Sequence, residues 1–232
     1  MSLQIQYTQD SEKPSLVMCI YGPGKVGKTT LATTAPKPLF LDGENGTKGL
    51  KTQAINVPVV HVKTWLDIQE CYREFKDSKE FETIVIDPLG FFMDALLQEV
   101  SQGRGQEGMT LQKWGIALDK FKNFTKAWTL SGKHVLFIAH DELLADEGTQ
   151  LRRIQLPGKN LPSVFRNMMD AVGYYIAGTN KERELLVQPT GKIDAGSRFN
   201  CFEPVLKNPN ITEMIEKIHS FYGAKPNVEV AE

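Results

Sequence analysis

Short apolar runs recur along the chain between polar segments that contain glycine or proline. Runs of five to seven residues, rich in β-branched and aromatic side chains, are typical of buried strands. They predict strands at residues 16–21, 38–42, 58–62, 83–87, 134–140, 171–177 and 184–188. We expect the last two to form an antiparallel hairpin that turns at residues 178–181. A shorter alternation at residues 3–7 is typical of an edge strand.

Between these strands, apolar residues recur every three to four positions, which is the spacing of one helix face. The longest such stripe predicts a core-facing helix with its lysines in solvent, and it consists of Leu111, Trp114, Leu118, Phe121, Phe124 and Trp128. Similar spacing predicts helices at residues 29–35, 65–75, 91–100, 162–170 and 211–221, the second behind Thr64 as an N-cap. Strands that alternate with helices predict an α/β fold, with a mostly parallel central sheet flanked by helices.

Two segments lack regular periodicity. Residues 101–108 contain three glycines and are expected to form a mobile loop. Residues 141–162 have no clear period and carry charges of both signs, so we expect a long excursion of the kind that is usually functional or disordered. A chain of 232 residues can bury a sizeable core. We expect one domain over residues 1–232, with loose tails at 1–14 and 225–232.

The segment after the first predicted strand satisfies the P-loop pattern G-x-x-x-x-G-K-[ST]. Its glycines let the backbone wrap a phosphate chain with inward-pointing N–H groups, a conformation in which a Cβ would often clash. Lys28 can reach the β- and γ-phosphates, and the Thr29 hydroxyl can ligate Mg²⁺. A surface turn would explain the glycines, but not the strand before them and the helix after them. The predicted nucleotide-binding residues are Gly22, Pro23, Gly24, Lys25, Val26, Gly27, Lys28, Thr29 and Thr30.

Acidic residues follow two of the predicted strands. Asp42 and Glu44 come at the end of the second strand, and Asp87 ends the fourth. Ligands bind at the carboxyl edge of open α/β sheets, so these acids are candidates for the nucleotide site. Asp87 has the position of a Walker B aspartate, which holds the Mg²⁺ water shell. The alternatives are a capping aspartate at Asp87 and a solvated acidic turn at Glu44.

The composition narrows the function classes. The formal net charge is −1, so nucleic-acid binding would need a local patch or an oligomer. The three cysteines are widely spaced and form no C-x-x-C pattern, which indicates buried thiols in a reducing compartment. No apolar run approaches the length of a membrane span. We expect a soluble, cytoplasmic protein without a membrane partner.

The order of these parts resembles the RecA-like ATPases. The residues that carry the resemblance are the P-loop, the segment 40–44, Asp87, and the strand 137–140 followed by a long loop and residues 158–161. The resemblance implies that Glu44 is the catalytic base and that His140 senses the γ-phosphate, although many members have glutamine at that position. It also implies that residues 101–109 and 141–162 are two DNA-binding loops. The candidate DNA contacts in them are Arg104, Arg152, Arg153 and Lys159.

The compact length and the run at residues 36–42 are similar to the small phage nucleotide-binding proteins, some of which are single-strand annealing recombinases. This similarity implies ATP and Mg²⁺ as cofactors, single-stranded DNA as a partner, and a homo-oligomeric ring or filament. It further implies a single-strand-binding protein as a possible second partner and the host-cell cytoplasm as the compartment. RecA-like sites are commonly completed by a basic residue of a neighbouring subunit. The candidates for that role, each otherwise a surface charge, are Lys181, Arg183, Lys192 and Arg198.

Two other functions use the same P-loop. A small-molecule phosphotransferase usually has an arginine-rich lid, whereas residues 141–162 contain only Arg152 and Arg153 together with four acids. A nucleotide switch would bind ATP without hydrolysing it and would only order loops and subunits. We therefore expect a DNA-dependent ATPase first, a phosphotransferase second and a switch third.

Overall fold

The structure is a computed structural model, and it describes residues 12–146, 149–178 and 182–222. The strands are β1 Val17–Gly22, β2 Pro38–Asp42, β3 Val59–His61, β4 Thr83–Asp87, β5 His134–Asp146, β6 Thr149–Ile154, β7 Ala171–Ala177, β8 Arg183–Leu186, β9 Gly196–Ser197 and β10 Val205–Lys207. The α-helices are α1 Lys28–Ala32, α2 Trp65–Phe75, α3 Leu89–Val100, α4 Leu111–Thr129, α5 Leu161–Asn167 and α6 Ile211–Ser220. Short 3₁₀ helices occur at Gly46–Gln53 and Gly105–Gly108.

The sheet has the strand order β10-β8-β7-β1-β5-β4-β2-β3. All pairs from β7 to β3 are parallel, whereas β8 and β10 are antiparallel at one edge. The expected mixed α/β architecture, with a mostly parallel sheet and a late antiparallel hairpin, is confirmed. β5 lies between β1 and β4, so the strand that carries His140 separates the P-loop strand from the strand that ends in Asp87.

Helices cover both faces of the sheet. On one face, α2, α3, α4 and α5 bury a core that includes Ile68, Phe92, Phe121 and Phe165. On the other face, α1 and α6 pack on a second core. The N-terminus of α2 has the predicted cap, because the Thr64 side chain accepts a hydrogen bond from the Asp67 amide. The Asp67 side chain in turn accepts one from the Thr64 amide. The buried residues thus come from the apolar runs that predicted strands and from the three-to-four spacing that predicted helices.

Two positions of the predicted helix stripes are not in the core. Leu111 is 93% exposed and Phe221 is 64% exposed. Leu111 occupies the first turn of α4, whereas the fully buried positions of that helix begin at Ala117. Phe221 is the C-cap residue after α6. Their burial was wrongly expected because helical spacing defines a face but does not show where the neighbouring elements end.

The expectation of an irregular excursion after residue 140 is wrong in its first half. β5 continues through His140 to Asp146 and pairs antiparallel with β6, so this segment is a β-hairpin, which we call the β5–β6 hairpin. Two ion pairs hold it together: Arg152 to Asp141 at 2.6 Å and Arg153 to Glu142 at 2.7 Å. Asp141, Glu142, Arg152 and Arg153, whose mixed charges obscured any strand pattern, are therefore partners across the hairpin. The short strands β9 and β10 were also not predicted.

Some expectations fall on other parts of the chain. Four of them lie outside the described residues: the edge strand at 3–7, most of the first tail, the hairpin turn at 179–181 with Lys181, and the tail at 225–232. Within the described residues, no helix is long and apolar enough to cross a membrane. The three cysteines are free; Cys19 and Cys71 are buried as expected, whereas Cys201 is only partly buried.

Candidate nucleotide-binding site

The P-loop joins the buried strand β1 to α1. Gly22 ends β1 so close to β7 that an added Cβ would lie 2.3 Å from the Tyr175 carbonyl oxygen. Gly27 caps α1 with a left-handed φ of 96°, which glycine adopts without strain. At Gly24 an added Cβ would meet no atom within 4 Å, so the expected clash is absent there. Close packing at Gly22 and a left-handed backbone at Gly27 therefore favour glycine at two of the three glycine positions of the motif.

Lys28 is buried at the first position of α1. Its Nζ donates to the carbonyl oxygens of Gly22 and Pro23, both at 2.7 Å. Burial lowers the pKa of Lys28, while the charges of Asp87 and Asp141 oppose this shift. The ammonium group is thus held against the loop that would surround the phosphates, and an anionic ligand could take the place of the carbonyl partners.

Thr29 and Asp87 meet directly at the mouth of the loop. The Thr29 hydroxyl donates to Asp87 Oδ2 at 2.7 Å. Burial raises the pKa of Asp87 to about 6, and Asp42 and Glu44 add to this rise. Mg²⁺ prefers hard oxygen ligands and keeps several waters, so a hydroxyl and one carboxylate in contact fit such a site. Within the described ranges, no cluster of three or more His, Cys, Asp or Glu side chains offers an alternative metal site.

Asp42 has a different role from the other acids. It is buried and accepts hydrogen bonds from the amides of Glu44, Gly46 and Thr47 and from the Thr47 hydroxyl. Burial alone would raise its pKa, but the hydrogen bonds from Thr47, Gly46 and Glu44 lower it. Asp42 therefore anchors the turn that carries Glu44, and both of its carboxylate oxygens accept hydrogen bonds within that turn.

A cleft of about 420 Å³ opens above the P-loop. It is lined from the P-loop by Lys25, Gly27, Lys28, Thr29 and Thr30, and from other elements by Glu44, Gly46, Gly49, Leu50, Gln53, Asp87, Pro88, Ile138, Ala139 and His140. The structure thus brings together the five residues to which the sequence assigned chemistry: Lys28, Thr29, Glu44, Asp87 and His140. His140 reaches the cleft because it pairs with Gly22 in the register of β5 and β1. Gly22, Pro23, Gly24 and Val26 do not line it.

The candidate DNA contacts lie outside this cleft. Arg152 and Arg153 are on β6 and form the ion pairs of the β5–β6 hairpin described above. Arg153 also donates to the Lys159 carbonyl at 3.2 Å. Arg104 is exposed after α3. Contact between these residues and DNA stays a prediction.

The candidates for a subunit-completing cation are dispersed. Arg198 pairs with Asp170 at 3.2 Å beside the start of β7, which is the opposite edge of the sheet from the P-loop. There it lines a second cleft of about 440 Å³. Lys192 is exposed, and its carbonyl accepts from the Arg152 amide. Arg183 instead lies beside Gly27 of its own chain.

The lining residues that the sequence did not predict include Leu50 and Gln53. Both belong to the 3₁₀ helix at Gly46–Gln53, in a glycine-containing segment that indicated only a loop. Gln53 lies within 3.3 Å of the Thr30 hydroxyl, which donates to its Oε1. The sequence offers no periodicity that would have placed either side chain at the cleft.

The buried strand, the phosphate-binding loop, the helix behind it and the Thr29–Asp87 contact define a P-loop nucleotide-binding protein. A family model described as an AAA domain matches residues 15–199 of the chain. The chain belongs to this family of P-loop ATPases. A comparison with curated proteins gives no match.

Proposed function

We propose that the chain is a Mg²⁺-dependent ATPase with a RecA-like core that acts on single-stranded DNA in phage-type recombination or strand annealing. The observation that carries the proposal is the course of β5, which passes through the cleft at His140 and continues directly into the β5–β6 hairpin. A single strand thus links the place of the terminal phosphate to the segment that the resemblance assigns to DNA.

Different residues of the cleft would bind the phosphate chain and the Mg²⁺ ion. Lys28 and the loop amides would hold the phosphate chain, and the N-terminus of α1 adds a favourable dipole. Thr29 and Asp87 would hold Mg²⁺. When bound, the ion supplies neutralising charge for the phosphate oxygens. Because Thr29 and Asp87 already touch, little rearrangement of the chain is needed to bring both to one ion.

We assign to Glu44 the activation of water. It is exposed at the cleft on a turn that Asp42 fixes through several hydrogen bonds. A carboxylate held at the mouth of the cleft can orient a water molecule and accept its proton, which is general base catalysis. The AAA-domain family is consistent with this assignment of ATP hydrolysis.

We assign to His140 the role of sensing the terminal phosphate, because it lines the cleft on β5, the strand that continues into the hairpin. The next residue, Asp141, accepts from Arg152 at 2.6 Å and from the Tyr174 hydroxyl at 3.3 Å with the same oxygen. A change at His140 would therefore act on the base of the β5–β6 hairpin through its direct neighbour. We propose that this contact couples the nucleotide state to DNA binding.

The DNA part is tested by removing three cations together. If Arg152, Arg153 and Lys159 touch phosphates, their replacement by alanine weakens single-stranded DNA binding. It also reduces the slope of log affinity against log salt by roughly 0.7 per lost contact. Fluorescence anisotropy of a labelled oligonucleotide over a salt series measures both quantities. ATP affinity should be unchanged, because none of the three lines the cleft.

A control with the same loss of charge uses three lysines that are exposed elsewhere: Lys79, Lys126 and Lys217. Its DNA affinity should stay close to that of the wild type. If both triple variants bind DNA equally well, the β5–β6 hairpin is not the DNA site. If the wild type ignores single-stranded DNA and converts ATP to ADP only when a small-molecule acceptor takes the γ-phosphoryl group, the protein is a phosphotransferase. Binding of ATP without turnover would indicate a nucleotide switch.

A further inference from the structure

Arg183 is the first residue of β8 and lies at the edge of the sheet where β1 ends. It pairs with Ala177, the last residue of β7, and β7 runs parallel to β1. Asn208 fixes its backbone, because the Arg183 amide donates to Asn208 Oδ1 at 3.0 Å and the Asn208 amide donates to the Arg183 carbonyl at 2.7 Å. The sheet and two hydrogen bonds thus hold the base of this side chain.

The side chain of Arg183 reaches the P-loop. A Cβ built on Gly27 would lie 3.8 Å from Arg183 Nε, and Gly27 directly precedes Lys28. Burial raises the pKa of Tyr175 on the intervening strand β7, and the positive charge of Arg183 opposes this rise. Within the residues that the structure describes, no carboxylate lies within ion-pair distance of Arg183. The positive charge of Arg183 therefore lies beside the P-loop without a carboxylate partner among the described residues.

We infer that Arg183 contacts the phosphate chain of a nucleotide bound in the P-loop of its own chain. The inference rests on the proposed nucleotide binding. A guanidinium group presents a fork of donors that matches phosphate oxygens, and it keeps its charge at every physiological pH. Lys28 would approach the phosphates from within the loop, and Arg183 would approach them from the side of β8. This differs from the expectation that Arg183 completes the site of a neighbouring subunit.

The first test compares ATP affinity across a set of variants. Arg183→Ala should weaken binding of a fluorescent ATP analogue by about 10- to 100-fold, the range for a lost hydrogen bond to a charged group. Arg183→Lys keeps the charge without the fork and should bind with intermediate affinity. Lys207→Ala is the matched control, because it removes one positive charge from the neighbouring strand β10. Its affinity should equal that of the wild type.

A mixing experiment distinguishes the chain's own site from a neighbour's. Lys28→Ala chains, which keep Arg183 but have a damaged P-loop, are mixed with Arg183→Ala chains. If Arg183 served a neighbouring subunit, the mixture would regain tight ATP sites, because Lys28→Ala chains would supply the arginine. If Arg183 serves its own P-loop, no tight site appears at any mixing ratio. Equilibrium binding at several ratios is the readout.

The outcomes separate the inference from the function on which it rests. If the wild type does not bind ATP, both are wrong. If the wild type binds ATP and Arg183→Ala binds it equally well, the inference alone is wrong. Recovery of tight binding in the mixture also overturns the inference and leaves nucleotide binding intact. Thermal unfolding of each variant without nucleotide checks the fold, and Arg183→Gln, which retains most of the length of the side chain, replaces Arg183→Ala if the latter unfolds.

Discussion

Gly22 offers a prediction that can be worked from a single distance. In Gly22→Ala the new Cβ would lie 2.3 Å from the Tyr175 carbonyl oxygen, whereas ordinary contacts of this kind are 3.4 to 4 Å. β1 and β7 would have to separate by about 1 Å at the end of β1, directly after Tyr21 and Tyr174, the last pair of the two strands in register. Overpacking and backbone strain of this type each cost about 1–3 kcal/mol. We expect a loss of about 2–5 kcal/mol.

Urea unfolding followed by tryptophan emission measures this loss. For a denaturant dependence of about 2–3 kcal/mol per molar, the midpoint should fall by about 0.7–2.5 M. Gly24→Ala is the matched control two residues away in the same loop, because its Cβ meets no atom within 4 Å. Its midpoint should stay within about 0.3 M of the wild type. Equal midpoints for the two variants would refute the claim that close backbone approach requires glycine at Gly22.

Three further perturbations test the site and the fold. Lys28→Ala removes the buried ammonium of the loop and should weaken ATP binding by about 10- to 100-fold in a titration, and wild-type affinity would contradict the P-loop assignment. Glu44→Gln should leave ATP affinity unchanged but lower turnover by about 10²- to 10⁴-fold, and an unchanged rate would make Glu44 an ordinary turn acid. His134 accepts from the Leu16 amide at 2.9 Å, and burial, with His219, lowers its pKa to about 4. Because the unfolded chain binds this proton near pH 6.5 and the folded chain does not, stability should fall by about 1–3 kcal/mol as the pH drops from 6.5 to 4. His134→Asn should lose that part of the pH dependence in urea unfolding, and identical profiles would exclude His134 as its source.

The sequence predicted the cleft well where its signals are local. The P-loop pattern, the apolar strand before it and the acid that ends β4 are contiguous stretches, so each could be recognised without knowledge of the rest of the fold. Glu44 and His140 could be expected at the same edge because parallel strands bring their carboxyl ends together. The register of β1 with β5 then places His140 opposite Gly22.

The β5–β6 hairpin could not be read from the sequence because its stability comes from pairs across the strands. Arg153 gains its partner because the strand register sets it opposite Glu142, and Arg152, which lies opposite Leu143, reaches Asp141 diagonally. Alone, each residue indicates a solvated charge. The exposed Leu143 and Leu144 also break the alternation that would mark a half-buried strand.

The position of Arg183 shows a second limit. Its place beside Gly27 depends on the pairing of β8 with β7 and on the reach of a long side chain across one strand. No periodicity or motif encodes that distance. Leu111 illustrates the same limit, because its exposure depends on where the neighbours of α4 end and not on the spacing of the stripe.

The most direct test of the account is a calorimetric titration of ATP into the full chain, with Mg²⁺ and then with a chelator. We expect one saturable ATP site per chain in the presence of Mg²⁺. Affinity should fall by at least about 10-fold without the ion, because Thr29 and Asp87 then have no metal through which to act on the phosphates. An absence of saturable binding, or a binding curve that the chelator leaves unchanged, would contradict it.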